Sequence, residues 1–413
     1  MAKKGRKTGI SVSYNGKNLT KKLKGYIEEF SYTDVASGEC DSIEMTLNNR
    51  DRRFMNKNKP YKGDKISASI SIHNWQKNGQ TKSCKCGRFV LDDLSFTEPP
   101  LTCNIGAVSM PVKGEFKSRK RTKTYKNVTL REIAKTIANR AGIALHYSAD
   151  RIHIKEIEQS KTSDSEFLQS LCEEYGLGLK IYRGKIVIFD EEDYEKKAPA
   201  CTLRRKKDIV TWTWNTTLQG TYTGAKVTYT DSDDNKTHHV TVGKKGRLLD
   251  VNVTAFSKKD AGLKAKAKLA NENKKQTTMT LTIFPNPKII ATSTIRISGL
   301  YKLSGKYYVD KVTHTVNRSG GYLMMLEVHK VKSRAGLSVA KSSNGSGGMS
   351  VYVVKRGDTL ALIAKRQLGN VKYGSMVYSQ NKDVIEKAAK KAGKGSSNNG
   401  KVLIPGTKLK ISS

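Results

Sequence analysis

Hydrophobic and polar residues alternate along most of the first hundred positions of the chain. The alternation is clearest in Ile43–Leu47, Ile66–Ile72 and Gly87–Leu94, and Asn, Gly and Pro residues separate these stretches. A period of two places every second side chain on the same face, which is typical of half-buried strands. Several short strands at this spacing predict a β-barrel or a β-sandwich.

The period changes near residue 126, where helical patterns begin. Thr129 and Glu132 have the spacing of a capping box, and Ser163 and Glu166 repeat it. Apolar residues at helical spacing and then a glycine follow each box, so each predicts a capped helix. Apolar stretches on either side of Arg183-Gly184 predict a hairpin. This part of the chain is predicted to be a small module of helices and strands.

Strand patterns return after this module and continue to about residue 330. They include Ile209–Trp214, Thr221–Thr230 and Tyr322–Val328, and a helix that opens at Ser257 interrupts them. The sequence therefore predicts a second β region.

Composition marks the boundaries between these parts. Residues 151–199 contain 11 acidic and 8 basic residues, although the whole chain has a net charge of +39, which indicates a separate unit. Ser338–Ser350 is rich in Ser and Gly, as flexible linkers are. The predicted segments are 1–114, 115–195, 196–333, a linker at 334–350 and a terminal domain at 351–413.

The terminal segment carries the most specific motif of the chain. Tyr352–Leu360 ends in Lys-Arg-Gly-Asp-Thr-Leu, and Val402–Ile411 contains Leu-Ile-Pro-Gly-Thr. Over its whole length this segment resembles a LysM domain. The pattern predicts a strand, two helices and a strand, with Asp358 capping the first helix and Pro405-Gly406 at the centre of a type II turn.

The LysM resemblance implies a glycan-binding groove between the loop after the first strand and the loop before the last. The matching positions are Gly357, Asp358, Thr359, Leu360, Asn381, Leu403, Ile404 and Pro405. Turn, capping and core roles also explain these residue types, so the ligand stays open between peptidoglycan and another protein. The stretch Glu386–Gly400 is longer than the family usually has, and it could cover or reshape the groove.

The chain before the linker shows several features in a fixed order. They are the Trp212–Trp214 strand, the Gly220–Tyr229 strand pair, a Lys- and Ala-rich helix, the strand Gly305–His314 and the ending Gly321–Glu327. Their order and spacing over residues 10–330 resemble the late control D family, the baseplate hub proteins of contractile phage tails and tailocins.

This second resemblance implies a mainly β fold with α/β parts. Two tube-like β-barrels, at residues 1–114 and 196–333, flank a small α/β domain, and the βααβ LysM domain follows. Three copies would form a ring of six barrels, which seats a hexameric tail tube on a three-fold spike. The implied partners are two further copies, the tail tube protein and the central spike protein, with tape measure and wedge proteins as further candidates.

The same resemblance implies a structural protein of a virion or tailocin baseplate. Such a protein is made and assembled in the cytoplasm of the host bacterium. The sequence leaves open whether the particle is an infectious phage or a tailocin without DNA.

The net charge raises nucleic-acid binding as a different function. Lys113–Lys126 contains seven bases and one acid. However, the chain has 57 lysines against 19 arginines, and the lysines are spread along its length. Specific recognition of nucleic acids favours arginine on a defined face. We therefore expect a lysine-rich surface and no specific nucleic-acid partner.

Motifs for catalysis are missing from the sequence. It contains no Gly-x-Ser-x-Gly elbow, His-Glu-x-x-His helix or phosphate loop, so we expect no enzyme activity and no cofactor. The enzymatic alternative is a LysM-anchored peptidoglycan hydrolase with its catalytic part in residues 1–333. A cleared band in a peptidoglycan gel would support that alternative.

Cysteines and apolar stretches give two further expectations. Cys84 and Cys86, with Cys40 and Cys103 in the same β region, offer thiolates to a metal, but structural zinc sites more often use Cys-x₂₋₄-Cys spacing. We therefore expect no metal. Apolar stretches are only of strand length, so we expect no signal peptide and no membrane span.

Overall fold

The computed structural model describes residues 5–109, 115–182, 184–218, 221–230, 237–318, 321–331, 350–355, 357–368 and 373–411. It divides the chain into two units, residues 1–337 and 338–413. Strands make up most of the regular structure of the first unit. The predicted linker at 334–350 lies, except for Ser350, outside the described residues.

The first β region follows the alternation seen in the sequence. In its fourth strand Ile43, Met45 and Leu47 are buried, whereas Glu44 between them is exposed. The elements of this region are β1 (Lys7–Tyr14), β2 (Lys17–Asn18), α1 (Thr20–Leu23), β3 (Ile27–Val35), β4 (Ser42–Asn48), a 3₁₀ turn (Arg53–Met55), β5 (Lys65–His73), β6 (Thr81–Thr97) and β7 (Thr102–Val108).

The module that follows contains both predicted capping boxes. Thr129 accepts a hydrogen bond from the backbone N–H of Glu132, whose carboxylate accepts from the Thr129 N–H, and Ser163 and Glu166 do the same. The predicted helix starts are confirmed. The elements of the module are α2 (Glu115–Ser118), β8 (Lys120–Thr129), α3 (Leu130–Ala141), β9 (Ala144–Ser148), β10 (His153–Ser163), α4 (Asp164–Glu174), β11 (Leu177–Tyr182), β12 (Lys185–Asp190) and α5 (Glu191–Lys196).

The second β region begins after this module. Its elements are β13 (Cys201–Arg204), β14 (Ile209–Thr216), β15 (Gly224–Thr230), β16 (Thr237–Gly243), β17 (Leu248–Asn252), α6 (Lys258–Lys274), β18 (Thr277–Ile283), β19 (Thr294–Ser298), a 3₁₀ turn (Tyr301–Leu303), β20 (Gly305–Asn317) and β21 (Gly321–Lys330). The Ser257 hydroxyl accepts a hydrogen bond from the Asp260 N–H at 3.1 Å, so the predicted cap of α6 is confirmed. β15, β16 and β17 form a sheet of their own that α6 covers.

The two β regions share one hydrogen-bonded sheet. Its order is β14-β18-β21-β20-β3-β4-β7-β6-β5-β1-β2, with β19 attached to β20 and β13 attached to β19, and it has 13 strands. The joint is the antiparallel pair of β3 and β20, in register from Glu29 opposite Asn317 to Val35 opposite Lys311. Because backbone hydrogen bonds cross this joint, the strands at the two ends of the chain body form one structural element.

A single hydrophobic core lies against the apolar face of this sheet. Phe30 and Ile43 from the first β region and Leu281 and Tyr307 from the second belong to the same buried cluster. The small module has its own core, in which α3 and α4 pack on β8 to β12. The described residues contain no helix that is long and apolar enough to cross a membrane.

The second unit has four elements. They are β22 (Ser350–Val353), α7 (Leu360–Leu368), α8 (Gly374–Lys391) and β23 (Lys408–Ile411), and β22 pairs antiparallel with β23. Ile363, Val377 and Leu409 form its core. The order of strand, helix, helix and strand is the one predicted for this segment.

Candidate functional site

The loop between β22 and α7 contains three of the predicted groove residues. The Asp358 carboxylate accepts hydrogen bonds from the Tyr352 hydroxyl at 2.7 Å and the Lys355 N–H at 2.8 Å, which closes the turn. The Thr359 hydroxyl accepts from the Leu362 N–H at 3.2 Å, so Thr359 caps α7. The predicted cap at Asp358 is therefore wrong, because the turn uses that carboxylate and the next residue takes over the cap.

The loop before β23 lies beside this turn. Thr407 N–H donates to the Ile404 carbonyl at 3.2 Å, and Gly406 between them has a φ of +87°. This is the predicted turn around Pro405 and Gly406. Gly406 N–H also donates to the Val354 carbonyl at 2.8 Å, and Val354 N–H donates to the Thr407 carbonyl at 2.9 Å. The two loops that were predicted to flank the groove are therefore joined at Val354.

The predicted groove residues differ in exposure. Six of them, in the two loops, are exposed or half-buried, whereas Leu360 and Asn381 are buried. Asn381 interrupts α8 with a φ of −125°, and its side-chain amide donates to the Val377 carbonyl at 2.9 Å. Leu360 belongs to the core of the unit. The two loops are therefore accessible at the surface, whereas the side chains of Leu360 and Asn381 are not.

The stretch from Glu386 to Gly400 explains why Leu360 is buried. The Glu386 carboxylate accepts hydrogen bonds from the Tyr378 hydroxyl at 2.8 Å and the Ser397 N–H at 3.0 Å, and the Ser397 bonds lower its pKa. This clamp brings Gly400 against Leu360, where a Cβ atom on Gly400 would lie 2.2 Å from the Leu360 side chain. Apart from the unusual length of the stretch, no residue pattern in the sequence pointed to this clamp.

A buried ionic cluster in the first unit joins its three parts. The Lys180 ammonium on β11 pairs with Asp34 on β3 and with Asp41 at 3.0 Å, and it donates to the Val35 carbonyl at 2.7 Å. Asp34 also accepts from the N–H of Ala291, just before β19, at 2.9 Å. Burial raises the pKa of Asp41 to about 6 against the opposing charge of Lys180.

A second ionic cluster connects α5 with the second β region. The His329 ring lies 2.8 Å from both carboxylate oxygens of Asp310 and 3.3 Å from Glu195. Burial disfavours the charged imidazole, but the two carboxylates outweigh it and raise the pKa of His329 to about 9. These clusters connect the small module to the large sheet, and separating them would leave the buried charges of Lys180, Asp34 and Asp41 without partners.

Cys86 and Cys103 belong to the core of the first β region. Cys86 is buried at a β-bulge, where Gly87 pairs with Ala68 and Lys85 with Ser69. A hydrogen bond with Cys84 and burial raise the pKa of the Cys86 thiol, which disfavours the thiolate that a metal requires. Within the part of the chain that the structure describes, no group of three or more His, Cys, Asp or Glu residues could hold a metal ion.

Two solved tail proteins share the fold of this chain. The chain resembles the tail protein from Neisseria meningitidis MC58, with a TM-score of 0.60 and 13% identity over 78% of this chain and 96% of that chain. It also resembles the 43 kDa tail protein of prophage MuSo2 from Shewanella oneidensis, with a TM-score of 0.59 and 14% identity over 78% of this chain and 98% of that chain.

Sequence comparisons identify the family. Residues 116–329 match the YQBQ-like family, and the chain belongs to it. The probable baseplate hub protein of Escherichia phage P2 is 27% identical over 228 residues, which cover 54% of this chain and 56% of that protein. The chain thus spans about half the length of the curated relatives it matches. The predicted relation to baseplate hub proteins is confirmed at the level of the family.

Proposed function

We propose that this protein is a structural hub of a contractile tail baseplate, in an infectious phage or a tailocin. The observation that carries the proposal is the single sheet in which β3 and β20 join the two β regions. The relation to proteins named as probable baseplate hubs supports it. A sheet of this kind suits a load-bearing ring, because force passes along backbone hydrogen bonds and not only through side-chain contacts.

In this proposal each chain contributes two tube-like barrels, residues 1–114 and 196–333, with the α/β domain 115–195 between them. Three copies then present six barrels to the hexameric tail tube and a three-fold face to the central spike. The ionic clusters around Lys180 and His329 support this role, because they hold the α/β domain in one position.

A reconstruction of the assembled baseplate tests the hub proposal. We expect three copies of the chain per tail, located between the last tube ring and the spike. Any other number of copies, or a position outside the tube axis, would reject the ring. Light scattering of the purified chain alone is a weaker test, since trimerisation can require the spike.

We further propose that residues 351–413 form a LysM domain that binds peptidoglycan. The antiparallel pair β22–β23, the two helices and the adjoining loops at Val354 support this assignment. In this proposal Thr359 and Ile404 contact the sugar and backbone groups near Gly357 supply hydrogen bonds. The segment has 13 bases and 3 acids, so carboxylates on the peptides of the cell wall would increase the association rate.

Binding of the full-length protein to purified sacculi tests this second proposal. We expect retention that persists at ~0.5 M salt, where the Debye length is well below 10 Å, and that is lost in Thr359→Ala/Ile404→Ala. The matched control is Ser379→Ala, which changes an exposed position on α8 outside the two loops. If salt alone abolishes binding, the interaction with sacculi is only electrostatic. The alternative ligand, an acidic segment of another tail component, would then be favoured.

A further inference from the structure

β14 occupies one end of the 13-stranded sheet. In the described part of the chain it pairs with β18 and with no other strand. Thr217 N–H donates to the Gln276 carbonyl at 3.0 Å. In an antiparallel pair, residues alternate between directing their backbone groups toward the partner strand and away from it, so this bond shows which residues of β14 face β18. The backbone groups of Trp212 and Trp214 therefore point away from β18. Within the described ranges, a row of backbone donors and acceptors is open along this edge.

The side chains of β14 show that the apolar face extends to the last strand. Trp212 lies opposite Leu281 on the face that carries the core. Leu281 is fully buried, whereas Trp212 is 38% exposed. The difference arises because β18 has a strand on each side and β14 does not. An additional strand beyond β14 would cover Trp212 and continue the core.

The end of the sheet at β1 and β2 is protected, unlike the edge at β14. β2 pairs with Ser13 and Tyr14 of β1, and the Val12 N–H donates to the Thr20 hydroxyl at 3.1 Å. The Trp75 indole N–H donates to the Lys7 carbonyl at 3.3 Å. These contacts blunt β1 in the way that natural proteins protect edge strands from unwanted pairing.

A basic turn precedes β14. Arg204, Arg205, Lys206 and Lys207 are all exposed. The turn is held by a hydrogen bond from the Arg204 N–H to the Asp208 carboxylate at 2.9 Å and by one from the Asp208 N–H to the Arg204 carbonyl at 2.9 Å. The one carboxylate of the turn is thus engaged with the backbone, and four cations lie at the start of the open edge.

We infer that β14 is a docking edge for an extended strand of an acidic partner protein. The backbone of that strand would pair with β14, its apolar side chains would cover Trp212, and its carboxylates would lie against Arg205 and Lys207. The exposed cations at the start of the edge favour carboxylates on its occupant, and a second copy of this chain is the alternative that the test distinguishes. The inference goes beyond the hub proposal, since it assigns a surface and the chemistry of its partner.

The test uses the full-length protein and a synthetic peptide of about ten residues that alternates valine and threonine. Two versions carry two aspartates at the carboxyl or at the amino end, for antiparallel or parallel pairing, and a third carries lysines instead. Every second amide is N-methylated and cannot donate a hydrogen bond, so each peptide can pair with a strand along only one of its two edges. Tryptophan fluorescence gives the affinity, and hydrogen exchange locates the binding.

We expect one aspartate peptide to slow amide exchange at residues 210–216 by about fivefold or more, as added strand pairing does. The lysine peptide should bind at least about tenfold more weakly. Trp212→Gln should abolish binding, whereas the matched control Thr213→Gln, on the other face of the same strand, should retain it. Arg205→Glu/Lys207→Glu, which alters only exposed side chains, should reverse the preference between the aspartate and lysine peptides.

The inference is overturned if the exchange of β14 is unchanged by both aspartate peptides, or if the lysine peptide binds equally well. It is also overturned if β14 becomes protected as the chain alone is concentrated, because a second copy would then be the occupant. None of these results depends on a tail or on the number of copies in it, so the hub proposal is tested separately.

Discussion

Replacing Lys180 by methionine should destabilise the first unit strongly. The methionine side chain has a similar length and no charge, so Asp34 and Asp41 would stay buried without their cation. The side chains of Lys180, Asp34 and Asp41 are 9%, 6% and 1% exposed, respectively. Water therefore cannot replace the ammonium group without local opening of the structure. Removing one partner of such a buried pair costs about 3–5 kcal/mol.

Urea-induced unfolding followed by tryptophan fluorescence measures this loss. All three tryptophans, Trp75, Trp212 and Trp214, lie in the first unit, so the signal does not report on the second. With a urea dependence of about 3 kcal/mol per M, the loss corresponds to a midpoint lowered by roughly 1 M or more. The matched control is Lys126→Met, which removes an exposed pair with Glu156 and should cost no more than about 1 kcal/mol.

The pH dependence of the same variant gives a second check. The folded-state pKa of Asp41 is about 6, above its ordinary value of 3.8, so the folded state binds a proton more readily than the unfolded state. In Lys180→Met that preference should increase, because the opposing cation is gone. The difference in stability between wild type and variant should therefore be smaller at pH 5 than at pH 7.5. An equal loss in the variant and the exposed control would refute the reasoning.

Three further changes test other parts of the structure. Gly400→Ala should lower the free energy of unfolding of the second unit by about 1–3 kcal/mol, because the added Cβ would collide with Leu360. Hydrogen exchange in this unit should therefore become faster, and unchanged exchange would contradict the packing. The paired His329 contributes stability that is full below pH 6.5 and is lost as the pH rises through about 9, so urea midpoints at pH 6 and pH 9.5 should differ less in His329→Gln than in wild type. Thr129→Ala should cost about 1 kcal/mol in the same urea assay through loss of the cap shared with Glu132, and a neutral result would show that α3 does not depend on it.

The sequence by itself determined the features that depend on neighbouring residues. Both capping boxes, at Thr129 and Ser163, form because the cap and its partner are three residues apart and no distant group is needed. The alternation in β4 predicted its buried and exposed faces for the same reason. Neighbouring residues alone did not predict whether Asp358 or Thr359 caps α7. The hydrogen bond from the Tyr352 hydroxyl holds Asp358 in the turn, so Thr359 caps the helix.

Only the tertiary structure decided which distant parts meet. Lys180 and Asp34 are 146 positions apart in the chain, and no local pattern shows that a lysine on β11 neutralises a carboxylate on β3. The pairing of β3 with β20 and the exposure of Trp212 on β14 likewise depend on the order of strands in the sheet. Local geometry fixes the faces of a strand, whereas its neighbours follow from how the whole chain buries its apolar surface, and that choice is made by all the strands together.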